Sequence, residues 1–154
     1  MVMNEIVKEL GFKLSNSDIE LFESKFCLKL PETIVDFYLK WNGGELKNKF
    51  KYIDPDSSSG VYPIFTIMPL KNPIDPDSDS VSSNMRLFRS IDESYMDYIP
   101  ITFDLFDNYI AASLKDGKIY WMDHEEPDNL ILFADNIFSF IDSLVKESPE
   151  ELDQ

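Results

Sequence analysis

The stretch Tyr109-Ile110-Ala111-Ala112-Ser113-Leu114-Lys115-Asp116-Gly117-Lys118-Ile119-Tyr120-Trp121-Met122-Asp123 decides the fold. Two segments with strand character, Tyr109–Lys115 and Lys118–Asp123, flank Asp116-Gly117. An Asp-Gly pair supplies the positive-φ backbone that a tight turn between antiparallel strands requires. The reading is a β-hairpin, and it commits this half of the chain to an antiparallel sheet.

Outward from the hairpin the chain alternates between strand and helix signals. Ile99–Phe103 and Leu130–Phe133 are short strands on either side. Val61–Met68 is rich in β-branched and aromatic residues and reads as a further strand, with Pro63 placing it near an edge. Pro69–Asn84 is a polar, proline-punctuated loop. Leu87, Phe88, Ile91 and Tyr95 suggest a helix capped by Ser82 or Ser83. The first third is helical: Ile6, Val7 and Leu10 form a short amphipathic turn that Gly11 ends. Ser17 and Glu20 have capping-box spacing before Ile19, Phe22 and Phe26. Pro31 opens a helix whose Ile34, Phe37, Tyr38 and Trp41 are buried and which Asn42-Gly43-Gly44 terminates. Ile137, Phe140, Ile141, Leu144 and Val145 mark a closing helix. The sequence therefore predicts an α+β fold. N-terminal helices precede an antiparallel sheet of about 4–6 strands. A C-terminal helix packs on one sheet face, leaving the other for solvent or a partner. Residues 1–146 are expected to form one domain, and 147–154 an acidic, frayed tail.

Apolar and aromatic contents of 44% and 14% exclude a disordered chain. No basic stretch followed by an apolar core opens the sequence, and no apolar run approaches the roughly 18 residues of a membrane span. The single cysteine cannot form an internal disulfide, which is compatible with a cytoplasmic setting. Charge is the global anomaly, at net −15, and it is unevenly spread. Residues 1–89 hold 13 acids and 11 bases, whereas residues 90–145 hold 12 acids against Lys115 and Lys118 alone. Such a field repels nucleic acid and anionic membrane and attracts a basic partner.

Leu30-Pro31 leading to Asn42-Gly43-Gly44, then Ile99-Pro100-Ile101, then Gly117 and Ile119–Glu125 form an ordered series of short motifs. With Phe22-Glu23, Phe37, Asp104 and Phe140, they resemble the SUKH superfamily over roughly residues 14–145. Tyr120-Trp121 followed by Asp123-His124-Glu125 is the most specific piece. Where family members often carry glycines after the acidic residue, this chain has Leu105-Phe106-Asp107. The resemblance implies a scaffold for protein recognition. Most members are bacterial immunity proteins that neutralise a toxin, often a nuclease, by direct binding, while some eukaryotic relatives regulate cell-wall synthesis. The expected function is thus a non-enzymatic immunity protein against a basic toxin. A regulatory scaffold for a host protein is the alternative.

No constellation of catalytic groups competes with that reading. His124 is the sole histidine and Cys27 the sole thiol, and Cys27 sits in an apolar-basic stretch that suits an inert side chain. Asp54-Pro55-Asp56-Ser57-Ser58 and Asp75-Pro76-Asp77-Ser78-Asp79 imitate the opening of a calcium loop. Both lack the turn glycine at position 6 and the glutamate at position 12. Asp104, Asp107 and Asp116 at strand ends offer carboxylates without a defined cleft. The sequence therefore predicts no catalytic residue, no metal and no cofactor. Partner contacts are expected from Asp104, Phe106, Asp107, Trp121, Asp123, His124, Glu125 and Glu126. Leu30, Pro31, Asn42, Gly43, Gly44, Pro100 and Gly117 are expected to be structural.

Overall fold

A computed structural model describes residues 7–8, 13–53, 61–72, 79–104, 108–143 and 145–146. In chain order the elements are β1 (Val7–Lys8), α1 (Asn16–Phe26), α2 (Glu32–Trp41), β2 (Gly44–Ile53), β3 (Val61–Ile67) and α3 (Val81–Ile91). A 3₁₀ turn (Glu93–Asp97), β4 (Tyr98–Phe103), β5 (Tyr109–Ser113), β6 (Ile119–Met122), β7 (Leu130–Ala134), α4 (Ile137–Asp142) and β8 (Val145–Lys146) follow. This is the expected α+β fold.

The strands form two antiparallel ladders. In one, β2 pairs with β3 on one side and with β1 and β8 on the other; in the second, β4 to β7 run as a meander. The ladders touch where β3 ends beside β4. There the Met68 N–H donates to the Ile101 carbonyl at 2.9 Å and the Thr102 hydroxyl to the Thr66 carbonyl at 2.6 Å.

The hairpin falls where the sequence puts it, with Ala112 opposite Ile119. Its loop is longer than a two-residue turn. Ser113 pairs with Lys118 and accepts from the Gly117 N–H, both at 2.8 Å, so residues 114–117 make the connection. Leu114 leaves the ladder because its N–H bonds the Asp97 carbonyl instead. Gly117 supplies the left-handed residue at φ +77° that closes such a loop.

Other boundaries shift for equally local reasons. The capping box of α1 is Ser15 with Asp18, two residues ahead of Ser17 and Glu20. Aspartate at the third helical position reaches back as glutamate does, with Oδ2 2.8 Å from the Ser15 nitrogen. The cap of α3 is Ser80, and Ser83 is its reciprocal partner rather than the cap. That helix ends at Ile91, and Tyr95 reaches the core from the 3₁₀ turn capped by Asp92. Two helical expectations fail. Val7–Lys8 pairs with β2 as a strand, while Ile6, Leu10 and Gly11 lie outside the described residues. The closing helix stops at Asp142, and Val145 pairs with Lys51 as part of β8; Leu144 is outside the described residues. β2 was not expected at all.

Ile34, Phe37 and Tyr38 of α2, Val81, Met85 and Phe88 of α3, and Phe140 and Ile141 of α4 are fully buried in one cluster with strand residues. Fully burying one such aliphatic or aromatic side chain contributes about 1.5–3 kcal/mol. α2 meets α4 through the edge-on contacts of Phe138 with Phe37 and Trp41. α3 meets the meander through Phe88, which packs on Tyr95 and edge-on to Tyr109. Every residue of β5 is buried, so the centre of the meander is covered on both faces. Exposure returns at β7, where Leu132 is largely open.

Candidate partner-binding site

Two features built from the short motifs position the surface. The first is a joint between α2 and the sheet. Glu23 accepts the Leu30 N–H at 2.7 Å, and Pro31 then forms the N-terminal boundary of α2. At the far end Asn42 is left-handed (φ +39°), and its amide bridges to the chain beyond β3. Its Oδ1 accepts the Leu70 N–H at 2.9 Å and its Nδ2 donates to the Lys71 carbonyl at 3.3 Å. A Cβ on Gly43 would stand 2.5 Å from the Ile67 carbonyl oxygen. A Cβ on Gly117 would meet the Thr33 hydroxyl at 2.7 Å and Pro31 at 3.4 Å. Pro100 is buried on β4, and its neighbour Ile101 holds the β3–β4 junction. The motif residues thus clamp both ends of α2 onto the sheet, and they are structural.

The second feature joins the ends of β4, β5 and β6. Asp104 is only 2% exposed. Its carboxylate accepts the Asn108 N–H at 3.0 Å, the Asn108 Nδ2 at 3.2 Å and the Trp121 indole N–H at 3.3 Å. Asn108 in turn holds His124: its Oδ1 takes the His124 backbone N–H at 3.2 Å and lies 2.9 Å from the ring Nδ1. The polarity of this chain follows from the carboxylate. Asp104 accepts, so Asn108 must present Nδ2 to it and Oδ1 to the histidine, and the imidazole carries its proton on Nδ1. Nε2 makes no hydrogen bond to the described residues.

Beyond His124 the chain turns on Asp123, whose carboxylate accepts the Glu125 N–H at 2.9 Å. Asp123 is half-buried, while His124, Glu125, Glu126 and Asp128 are exposed. Burial first, then the negative charges of Asp92 and Asp123, pushes the Tyr95 hydroxyl up to about 12. Between this turn and α3 lies a groove of about 470 Å³, lined by Asp79, Asn84, Leu87, Ile91, Phe103, Tyr109 and His124.

Of the eight residues expected to contact a partner, His124, Glu125 and Glu126 are on the surface and Asp123 is at its margin. Asp104 and Trp121 are buried, which makes them the support of that surface rather than its face. Phe106 and Asp107 lie outside the described residues, as do residues 54–60 and 73–78 with most of the two incomplete calcium loops. His124 and Cys27 are not brought together: the Cys27 thiol faces the Ser24 carbonyl in a separate depression at the end of α1. Asp104 and Asp116 sit beyond opposite ends of β5, about 15 Å apart at strand rise, too far for a glycosidase pair. Among the described residues no three His, Cys, Asp or Glu side chains converge. No described helix is long and apolar enough to cross a membrane. Asn108, Asn84 and Leu87 were missed by sequence reasoning. The only signal for Asn108 was its place four residues after Asp104, where an amide can span a strand-end turn.

The clamped α2, the meander and the buried aspartate at its rim define a SUKH-type α+β domain. Residues 13–143 match the model of the SMI1 / KNR4 family (SUKH-1), and the chain belongs to that family. No curated protein matches the chain significantly.

Proposed function

We propose that this chain is a non-enzymatic immunity protein, acting in the cytoplasm, that binds a cognate basic toxin domain and blocks its substrate site. Family membership supports a protein partner. The observation that carries the finer reading is the charge concentrated in residues 90–145, with Glu125, Glu126 and Asp128 exposed on one turn. Carboxylates on an interface rim raise the encounter rate with a cationic partner, and salt screens that gain. Reversing Glu125 and Glu126 to lysine slows association with the cognate basic toxin domain by about ten-fold at low salt. Reversing Glu20 and Asp36, exposed on α1 and α2, changes it less than two-fold. Stopped-flow association rates against ionic strength measure both. Equal loss from the two pairs, or no salt dependence, would assign the acidity to solubility instead.

A further inference from the structure

α3 buries one face fully and leaves Leu87 exposed on a second. Val81, Met85 and Phe88 face inward and are fully buried. Asn84, Leu87 and Ile91 recur at helical spacing on a second face, and all three line the groove. Leu87 stands at its lip, 62% exposed, where folding gains little from an apolar side chain. The opposite wall is Phe103, Tyr109 and His124. The Tyr109 hydroxyl donates to Asn84 Oδ1 at 3.2 Å, and Asn84 is held in turn by the Ser80 carbonyl at 2.9 Å, which fixes the groove's shape. Among the described residues Asp79, Asn84, Tyr109 and the imidazole that Asn108 orients supply the groove's polar groups.

Charge selects the occupant. Asp79 and His124 both line the groove, and the exposed Glu125 and Glu126 follow His124 in the chain. Among the described residues no lysine or arginine lines it, and Arg89 is engaged with the Phe26 carbonyl at 3.0 Å and ring. We propose that this groove receives a large apolar side chain of the partner, carried on a segment with basic residues on both sides, which packs against the His124 ring. The inference rests on the protein-binding reading above and gives it a location. The volume, about 470 Å³, is that of a site able to bury such an anchor. A small molecule would leave the Leu87 lip in water, whereas a partner's surface covers it.

The test uses the full chain and three synthetic pentapeptides as probes. One has a central phenylalanine with two lysines on each side; the others have a central alanine or glutamates in place of the lysines. Binding is followed by methyl and imidazole-nitrogen NMR shifts. The Phe–Lys peptide should shift Leu87, Ile91 and His124 Nε2 in a saturable way. The alanine centre should bind at least ten-fold more weakly, and the glutamate flanks should abolish binding. Leu87→Ser, a change at an exposed position, should weaken the Phe–Lys peptide about ten-fold, and His124→Ala about five-fold. Equal binding by the alanine peptide, or shifts confined to Glu125 and Glu126, would overturn the groove. The immunity reading would survive that result, because the association-rate measurement tests it separately. Saturable groove binding with no salt-dependent toxin association would do the reverse.

Discussion

Replacing Asp104 with alanine tests whether the buried carboxylate is the support of the candidate surface. Three N–H donors point at it, at 3.0, 3.2 and 3.3 Å. Hydrogen bonds to a charged acceptor are worth about 1.5–3 kcal/mol each, and these lengths favour the lower figure. The gross loss is about 4–5 kcal/mol, of which about 1–2 returns because a desolvated charge has been removed. The expected net destabilisation is about 3 kcal/mol, measured by urea unfolding at pH 7. In a chain of 154 residues that lowers Tm by roughly 6–12 °C. Asp128→Ala, on the exposed part of the same segment, should stay within about 0.5 kcal/mol. A second readout separates this network from generic instability. In the folded fraction, the Trp121 indole proton resonance should move upfield and the His124 nitrogens should lose their single-tautomer pattern, because Asn108 is no longer held. A loss under 1 kcal/mol, or an unchanged indole resonance, would refute the reasoning and mean that water satisfies these groups.

Tyr38→Phe should cost about 1–2 kcal/mol, since the buried hydroxyl donates to the Met68 carbonyl at 3.0 Å. Tyr95→Phe should be neutral or stabilising in the same unfolding assay, because that buried hydroxyl has no partner among the described residues. Gly43→Ala should cost more than about 3 kcal/mol or prevent folding, as its Cβ would sit 2.5 Å from a backbone oxygen at φ +73°. The Asp18 carboxyl is held below the usual carboxylate range, first by Lys71 and then by the Ser15 N–H. Its stabilisation is therefore present above about pH 5 and lost as pH falls through the lowered folded value. Asp18→Asn should cost about 1 kcal/mol at pH 7, the exposed ion pair adding little to the lost cap, and almost nothing below about pH 3.

The parts of the fold legible in the sequence are those where one residue type has one job. Asp116-Gly117 marked the hairpin, and Asn42-Gly43-Gly44 marked the end of α2, because left-handed backbone restricts the choice of residue. Periodicity located the buried faces of α2 and α4. It placed Leu87 in α3, but that Leu87 is exposed follows only from the fold. β2 was missed although Glu45, Lys47, Lys49 and Lys51 alternate with Leu46, Phe50 and Tyr52; lysine is a weak strand former, and pairing on both sides stabilises the strand nonetheless. The candidate site was half legible. Local acidity pointed to the 123–126 turn, but sequence cannot tell a solvated aspartate from a buried one. Asp104 became a support only when the fold brought Asn108 and Trp121 against it.

The residues that identify the family and those that can choose a partner occupy different parts of the molecule. Gly43 and Gly117 hold positive-φ backbone in close quarters: a Cβ at Gly43 would collide with the backbone of Ile67 and Met68, and one at Gly117 with the Thr33 side chain. Leu87, Glu125 and Glu126 are exposed and carry no such constraint. Substitution at these surface positions costs little stability, whereas in a groove and rim each changes shape or charge directly. His124 stands between the two sets. Its backbone and ring are fixed by Asn108, and so by the buried Asp104, while the residue also lines the groove. If the proposed groove is the binding site, changes at the lip and the rim would alter partner choice while the orienting relay is kept. The same organisation explains why the motifs announce the fold and are silent on what it binds.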